Sequence, residues 1–278
     1  MPEPFTNIYS NPAYASAYSR LEFSGTYALA FRDLPAAFER HVCPGGEGRP
    51  RRALDFCCGA GRSTRFLERC GFAAVGVDVS ADMVKQAREA DPAGDYRVIA
   101  DGDFSSLPAA SFDLVFAAFP FDNVPTRERK AALLSGLRAL LAPEGAGRRG
   151  AGGGAREAGN GPAGGGHAGG RLVNLVSSPE IYVHAWASFS TRAVPENRQA
   201  KSGDVVQIVN LAIADRTPCE DVLWTEEAWQ ETYAAAGLAV VEVMKPLAGP
   251  ADTGEWVSET DIAPWTVYVL RGGDEVMK

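Results

Sequence analysis

From residue 51 onward the apolar positions change rhythm repeatedly, from short unbroken runs to stacks at helical spacing and back. "RALDFC" reads as a buried strand and "RSTRFLERC" as a helix that stops at Gly71. "AAVGVDV" is the next strand and "ADMVKQAREA" the next helix, with Ser80 placed to cap it. "YRVIA" and "FDLVFAAF" follow as strands. The helix "RERKAALLSGLRALL" then stacks Leu133, Leu134, Leu137, Leu140 and Leu141 on one face, and "RLVNLVSS" makes a fifth strand. Strands that are apolar without alternation are covered on both faces, and strands that each precede a helix run parallel. The pattern predicts an α/β fold around a mostly parallel sheet.

The remaining segments complete that picture. "YASAYSRLEFSGTYALAFRDL", near the start, spaces its apolar groups as amphipathic helix and predicts a helical cap or lid over residues 1–50. Residues 144–170 are about half glycine and hold too few apolar groups to offset the entropy of ordering them, which predicts a flexible loop. A helix-to-strand connection lies at the amino-terminal edge of such a sheet, whereas ligands bind at the carboxyl edge, so Arg148, Arg149, Arg156 and His167 are expected away from the chemistry. Beyond strand five, residues 178–222 are expected to form a lid that includes the apolar "VVQIVNLAIA". The helix "TEEAWQETYAAAG" follows, with Thr225 as its cap and Gly237 as its stop. "LAVVEVM" and "WTVYVLR" have no helical pattern between them and predict a terminal antiparallel pair, bringing the sheet to about seven strands.

Composition narrows the function. A chain of 278 residues, 46% of them hydrophobic, buries a full core, and residues 1–278 read as a single domain. The formal charge of −8 disfavours a nucleic-acid partner, since phosphate binding draws on clustered Lys and Arg. The expected ligand is a small molecule. "MPEPFTNIYS" has neither a basic nor an apolar leader region, and no apolar run approaches the ~20 residues of a membrane span, so the expectation is a cytoplasmic protein without membrane contact. The sequence assigns no oligomeric state. Five cysteines and three histidines without C-x-x-C spacing argue against a disulfide framework and structural zinc.

The chemistry concentrates at "DFCCGAG", where the first strand ends. Small residues there let backbone N–H groups approach a ligand, and the next helix offers its N-terminus. The following strand ends in Asp78, about 20 residues on, where a carboxylate can accept both hydroxyls of a ribose. A dinucleotide enzyme would want a third glycine near Thr64 to make room for a pyrophosphate, and the turn instead continues Arg62-Ser63-Thr64. At these residues the sequence resembles the class I S-adenosylmethionine-dependent methyltransferases, whose first motif is an acidic residue followed by G-x-G-x-G. "VGVDVSADMVKQARE" is similar to that family's ribose-binding strand and helix, "DGDFSSLPAASFDLVF" to its adenine-side loop and fourth strand, and "LLAPEG", resumed at "GRLVNLV", to its turn into strand five.

The resemblance implies a Rossmann-like fold, with residues 51–143 as the cofactor half, residues 171–278 as the substrate half, and S-adenosyl-L-methionine as cofactor. It also assigns roles. Asp55 anchors the turn and faces the methionine ammonium, while Gly59 and Gly61 allow close approach. Asp78 takes the ribose, Met83 packs on the adenine, Asp103 with Phe104 beside it accepts from the adenine amino group, and Ala117 lends a carbonyl to the ammonium. One departure is Cys57, where the family has glycine. "FPFDNVP" is not the Asn-Pro-Pro-Tyr type of motif associated with nucleic-acid methylation.

Methyl transfer from a sulfonium is largely a matter of positioning, with a base required only for poorly acidic acceptors. His184, just beyond strand five, is the candidate base, set against simple packing beside Trp186 and Tyr182. Asp122, after strand four, is placed to bind an acceptor amine or take a proton, set against ordinary turn chemistry. Tyr14, Tyr18, Arg20, Glu22 and Tyr27 are candidate lid residues, set against an amphipathic helix docked on the sheet. Trp224, Trp256 and Trp265 read as core or pocket walls, and neither Cys57 nor Cys58 reads as a nucleophile. The rivals to methyl transfer are a protein that binds the cofactor without transferring methyl and a nicotinamide oxidoreductase.

Overall fold

The structure is a computed structural model that describes residues 12–21, 24–42, 50–144, 169–214 and 216–273. Glu22, Cys43, Arg148, Arg149, Arg156, His167 and residues 145–168 of the expected glycine-rich loop lie outside the described residues.

Three short helices come first: α1 (Pro12–Ser19), α2 (Thr26–Arg32) and α3 (Leu34–His41). The predicted alternation then follows as β1 (Arg51–Phe56), α4 (Arg62–Arg69), β2 (Phe72–Asp78), α5 (Ala81–Ala90), β3 (Asp95–Val98), β4 (Leu114–Ala118), α6 (Arg127–Arg138) and β5 (Arg171–Ser177). A small antiparallel sheet of β6 (Phe189–Ser190), β7 (Val205–Asn210) and β8 (Cys219–Val222) precedes α7 (Glu226–Ala235), and β9 (Leu238–Met244) and β10 (Trp265–Gly272) end the order. Caps appear where the sequence places them: the Ser80 hydroxyl accepts from Met83 N–H, and the Thr225 hydroxyl from Ala228 N–H.

The seven-stranded sheet runs β3-β2-β1-β4-β5-β10-β9, the Rossmann-like mixed architecture expected. β1 to β5 pair in parallel, and β10 lies antiparallel between β5 and β9. Runs that look uniformly apolar in sequence are divided by face. Leu114 and Phe116 of β4 pack with Phe31, Phe38 and Leu67 from α2, α3 and α4. Val115 and Ala117 pack with Leu133, Leu134 and Leu137 of α6 and Trp229 of α7. Both faces are therefore dry, which is why the strands show no polar alternation.

The small sheet is the part that sequence patterning does not reveal. β6 has two residues, and β8, "CEDV", is polar in composition although Cys219, Asp221 and Val222 are buried. The N-terminal helices are tied over the carboxyl edge by one buried carboxylate. Glu259 accepts from the Thr26 hydroxyl (2.6 Å) and from the N–H groups of Ala187 (2.7 Å), Val257 (2.8 Å) and Ser258 (3.1 Å). Ala142 C=O accepts from Gly170 N–H at 2.7 Å, closing the base of the glycine-rich segment at the starting edge of β5, opposite the strand ends that carry the site. No helix among the described residues is long and apolar enough to cross a membrane.

Candidate functional site

β1 ends in a turn whose backbone does what glycine usually does: Cys57, Gly59 and Gly61 all have positive φ, at 59°, 52° and 77°. The three serve differently. A side chain on Gly61 would meet the Tyr96 ring at 2.6 Å, so packing requires glycine there. In front of Gly59 nothing lies within 4 Å, and the space opens into a cavity of about 670 Å³. Cys57 is the one side chain held in this left-handed region within the turn, and it lines the same cavity. Burial and the carboxylates of Asp78, Asp55 and Asp101 push its thiol well above the usual range, which leaves it protonated and without nucleophilic character. Cys58 is buried behind the turn with Val84, Ala87 and Tyr96.

Asp78 closes the turn from the end of β2. Its carboxylate accepts from Gly59 N–H at 2.8 Å and Ser80 N–H at 2.9 Å, and burial raises its pKa against these bonds. Asp55 lies beneath, fully buried. One of its oxygens accepts from the Ser63 and Thr64 hydroxyls, both at 2.6 Å, and Oδ1 has no partner among the described residues. Burial pushes Asp55 up to about 7, the two hydroxyls pull the other way, and Asp78 adds to the rise.

The roof of the cavity is α1. Arg62, at the start of α4, donates to Tyr18 C=O at 2.9 Å, and Ser19 donates to Gln86 of α5 at 2.6 Å. Tyr18, Arg62, Met83 and Val79 line the space. Val79 is 52% exposed for so apolar a residue because it borders this space directly after Asp78.

Phe119, Asn123 and Tyr18 are shared with a second, smaller cavity of about 40 Å³. Tyr14, Tyr27, Tyr182 and Trp265 wall it, and Asp122 and Asp221 reach it from the short helical turn after β4 and from β8. Phe119 has φ of 67°, a strained conformation for an aromatic residue, and its ring lies 4.8 Å from Trp265. Ser177 N–H donates to Asp122 at 3.0 Å and the Tyr182 hydroxyl to Asp221 at 3.1 Å. Both carboxyls titrate above their usual range. Burial is the main cause, Asp122 adds to the rise of Asp221, and Lys130 opposes both. Lys130 of α6 is itself buried, bonds the Phe121 carbonyl, lies over the Trp224 and Trp229 rings, and is lowered to about 8 by burial.

The structure thus gathers Gly59, Asp78 and Met83 at the large cavity, Tyr14, Tyr27, Tyr182 and Asp122 at the small one, and Tyr18 at both. Asp55 and Gly61 stand behind the turn as its support. Others are placed elsewhere. His184 lines neither cavity; Glu180, one turn earlier, holds its Nε2 at 3.0 Å, and its ring packs edgewise on Trp186. Arg20 is exposed and donates to Ser16. Asp103 is exposed and accepts from Ser105 N–H, while Phe104 turns inward against Phe56. Ala117 is buried inside β4, and its neighbour Ala118 reaches the cavity. Sequence reading missed Asp221, Lys130 and Phe119. Lys130 did leave a signal, sitting three and four residues before Leu133 and Leu134 on the apolar stripe of α6.

Sheet order and turn define a class. The methyltransferase domain family matches residues 53–145, and around it the chain carries the fold of the class I S-adenosylmethionine-dependent methyltransferases. Among solved structures, an S-adenosylmethionine-dependent methyltransferase from Mesorhizobium loti aligns with 89% of this chain and 100% of its own, with TM-score 0.54 and 18% identity. The CcbJ methyltransferase of Streptomyces caelestis aligns with 94% and 96%, with TM-score 0.57 and 14% identity. In sequence, the trans-aconitate 2-methyltransferase of Rhodopseudomonas palustris is 42% identical over 91 residues, 32% of this chain and 35% of that protein. The ubiquinone biosynthesis O-methyltransferase of Xanthomonas axonopodis pv. citri is 32% identical over 98 residues, 34% of this chain and 40% of that protein. The chain thus matches 35% and 40% of the length of these two relatives.

Two features of the site fit the family's cofactor. The open cradle before Gly59 and a cavity of about 670 Å³ provide close approach and room for a nucleoside-sized ligand, and the Oδ1 of Asp55, buried beneath the turn, has no partner among the described residues.

Proposed function

We propose that this protein transfers a methyl group from S-adenosylmethionine to a small molecule whose reacting atom sits in the smaller cavity. The observation that carries the reading is the pair of adjoining cavities. One opens on the glycine turn and Asp78, the other is closed by aromatic rings and two carboxyls, and Tyr18, Phe119 and Asn123 form their common wall.

When bound, the cofactor supplies a methyl group on a positively charged sulfur, a carbon already activated for displacement. This chain's residues then have to bind, orient and exclude water. Asp78 would accept the ribose hydroxyls. Met83 and Val79 would pack on the adenine, with Ala118 at the end of β4 closing the space in place of the buried Ala117, while Asp103 and Phe104 stand outside it. Asp55 and the backbone of Gly59 and Gly61 would hold the methionine end, with Arg62 near its carboxylate. The acceptor would lie under Tyr14, Tyr27 and Tyr182. The acid–base role expected of His184 passes in this reading to Asp122, which lines the acceptor cavity.

Calorimetric titration with S-adenosylmethionine and S-adenosylhomocysteine tests the proposal. Binding of both is expected; a folded protein that binds neither at millimolar concentration refutes it.

A further inference from the structure

The reading above leaves open which atom accepts the methyl group, and the lining of the smaller cavity bears on that choice. Resting on that reading, we propose that the small cavity is a seat for a protonated amine, so that the acceptor atom is nitrogen.

The first argument is charge. Among the described residues no Lys, Arg or His lines this cavity, while the side chains of Asp122 and Asp221 do. Lys130, the cation that acts on both, turns its ammonium to the Phe121 carbonyl and the faces of Trp224 and Trp229 and does not line the cavity. The ligand space is thus faced by two carboxyls and no cation among the described residues, and a bound ammonium would draw this raised pair back toward its ionised form. A carboxylate acceptor would face repulsion and find no donor of opposite charge.

The second argument is the count of hydrogen-bond partners. Asn123 turns its amide nitrogen to Asp221 at 3.4 Å, and its Oδ1 is buried with no partner among the described residues. That oxygen, with the carboxylates of Asp122 and Asp221, makes a surface of acceptors. An ammonium group brings three donors and a hydroxyl only one, so the amine satisfies what the alcohol leaves unpaired.

The third argument is the wall. Tyr27 lies 5.5 Å from Trp265 in a stacked arrangement, 5.9 Å from Phe119 and 5.0 Å from Phe189, so the cavity is ringed by π-systems, which attract cations. A volume of about 40 Å³ holds a head group and little else. The rest of the acceptor would extend past Phe119 and Tyr18, which places its nitrogen beside the wall shared with the cofactor cavity.

An ammonium nitrogen has no lone pair to give. A carboxylate of the pair takes its proton, the freed lone pair forms the N–C bond to the methyl carbon, and the S–C bonding electrons stay on sulfur. The products are a methylated ammonium and a neutral thioether. The groups facing the two carboxyls are Lys130 from α6, Tyr14 from α1, Tyr182 from the short helical turn after β5, Cys219 from β8 and Tyr233 from α7. Burial raises both carboxyls and Asp122 adds to the rise of Asp221, which suits a proton acceptor for an amine better than an ordinary carboxylate would.

The test uses protein saturated with S-adenosylhomocysteine and three probes that share a propyl tail, n-propylamine, n-propanol and butyrate, with affinities read by ligand-observed NMR. The amine is expected to bind at least about tenfold more tightly than the alcohol, its isostere, and than butyrate. Asp122→Asn and Asp221→Asn are each expected to weaken the amine about tenfold, with S-adenosylhomocysteine affinity held within about twofold as the check on folding. Equal or tighter binding of butyrate or propanol, or unchanged amine affinity in both variants, overturns the amine assignment and leaves methyl transfer standing. Failure of the wild-type protein to bind S-adenosylhomocysteine overturns the methyl-transfer reading itself.

Discussion

Asp78 is the residue on which the cofactor reading turns. Its two oxygens accept from Gly59 N–H at 2.8 Å and Ser80 N–H at 2.9 Å, so it both shapes the glycine turn and borders the cavity. In Asp78→Ala these two N–H groups face a space that water can fill. The stability cost is therefore set by lost charge-assisted bonds, about 1–3 kcal/mol in all. The raised pKa of the carboxyl holds the loss toward the lower end, because burial already disfavours its charge. A carboxylate that accepts both ribose hydroxyls adds a further ~1–3 kcal/mol to ligand binding, which is about a fivefold to 150-fold loss of affinity in the variant. Asp78→Asn keeps the shape and one acceptor but sets its NH2 against the other backbone N–H, so it is expected to cost about 1–3 kcal/mol in stability and about tenfold in affinity for S-adenosylhomocysteine. Urea denaturation and calorimetry on the three proteins measure both quantities. Equal affinity in all three would show that the wrong carboxylate has been assigned to the ribose.

Other parts of the molecule give further checks. Cys57→Gly and Cys57→Ala both remove the thiol, but at φ of 59° only glycine escapes the backbone strain, so the glycine variant should be the more stable by about 1 kcal/mol in urea; an alanine variant of equal stability would show an unstrained turn. Glu259→Ala strands one hydroxyl and three N–H groups beneath α2 and should cost about 3–5 kcal/mol in chemical denaturation, while a loss under about 1 kcal/mol would mean the clasp is not structural. Asp55 has a folded-state pKa of about 7 against an ordinary 3.8. The folded protein therefore binds this proton more tightly than the unfolded chain, and the group's stabilising contribution is full below about pH 4 and lost as pH rises through about 7. Compared with Asp55→Asn, the ligand-free wild type should lose stability between about pH 4 and pH 7, by at most about 4 kcal/mol in thermal melts; a difference that stays flat refutes the buried charge.

The sequence by itself determined the cofactor half. Unbroken apolar strands that alternate with helices require a parallel sheet covered on both faces, and a small-residue turn at a strand end followed by Asp78 is local information held within about 25 residues. Such signals survive in one dimension because the groups that cooperate are near neighbours in the chain. The acceptor side was decided only by tertiary structure. Asp122 comes from the short helical turn after β4 and Asp221 from the small sheet, where β8 carries its aspartate inward although its composition reads as surface. His184 shows the converse. Its place after β5 suggested the cleft, and a contact with Glu180 one turn earlier holds it outside. Whether a polar side chain faces a cavity or solvent depends on which distant elements enclose it, and no periodicity along the chain encodes that enclosure.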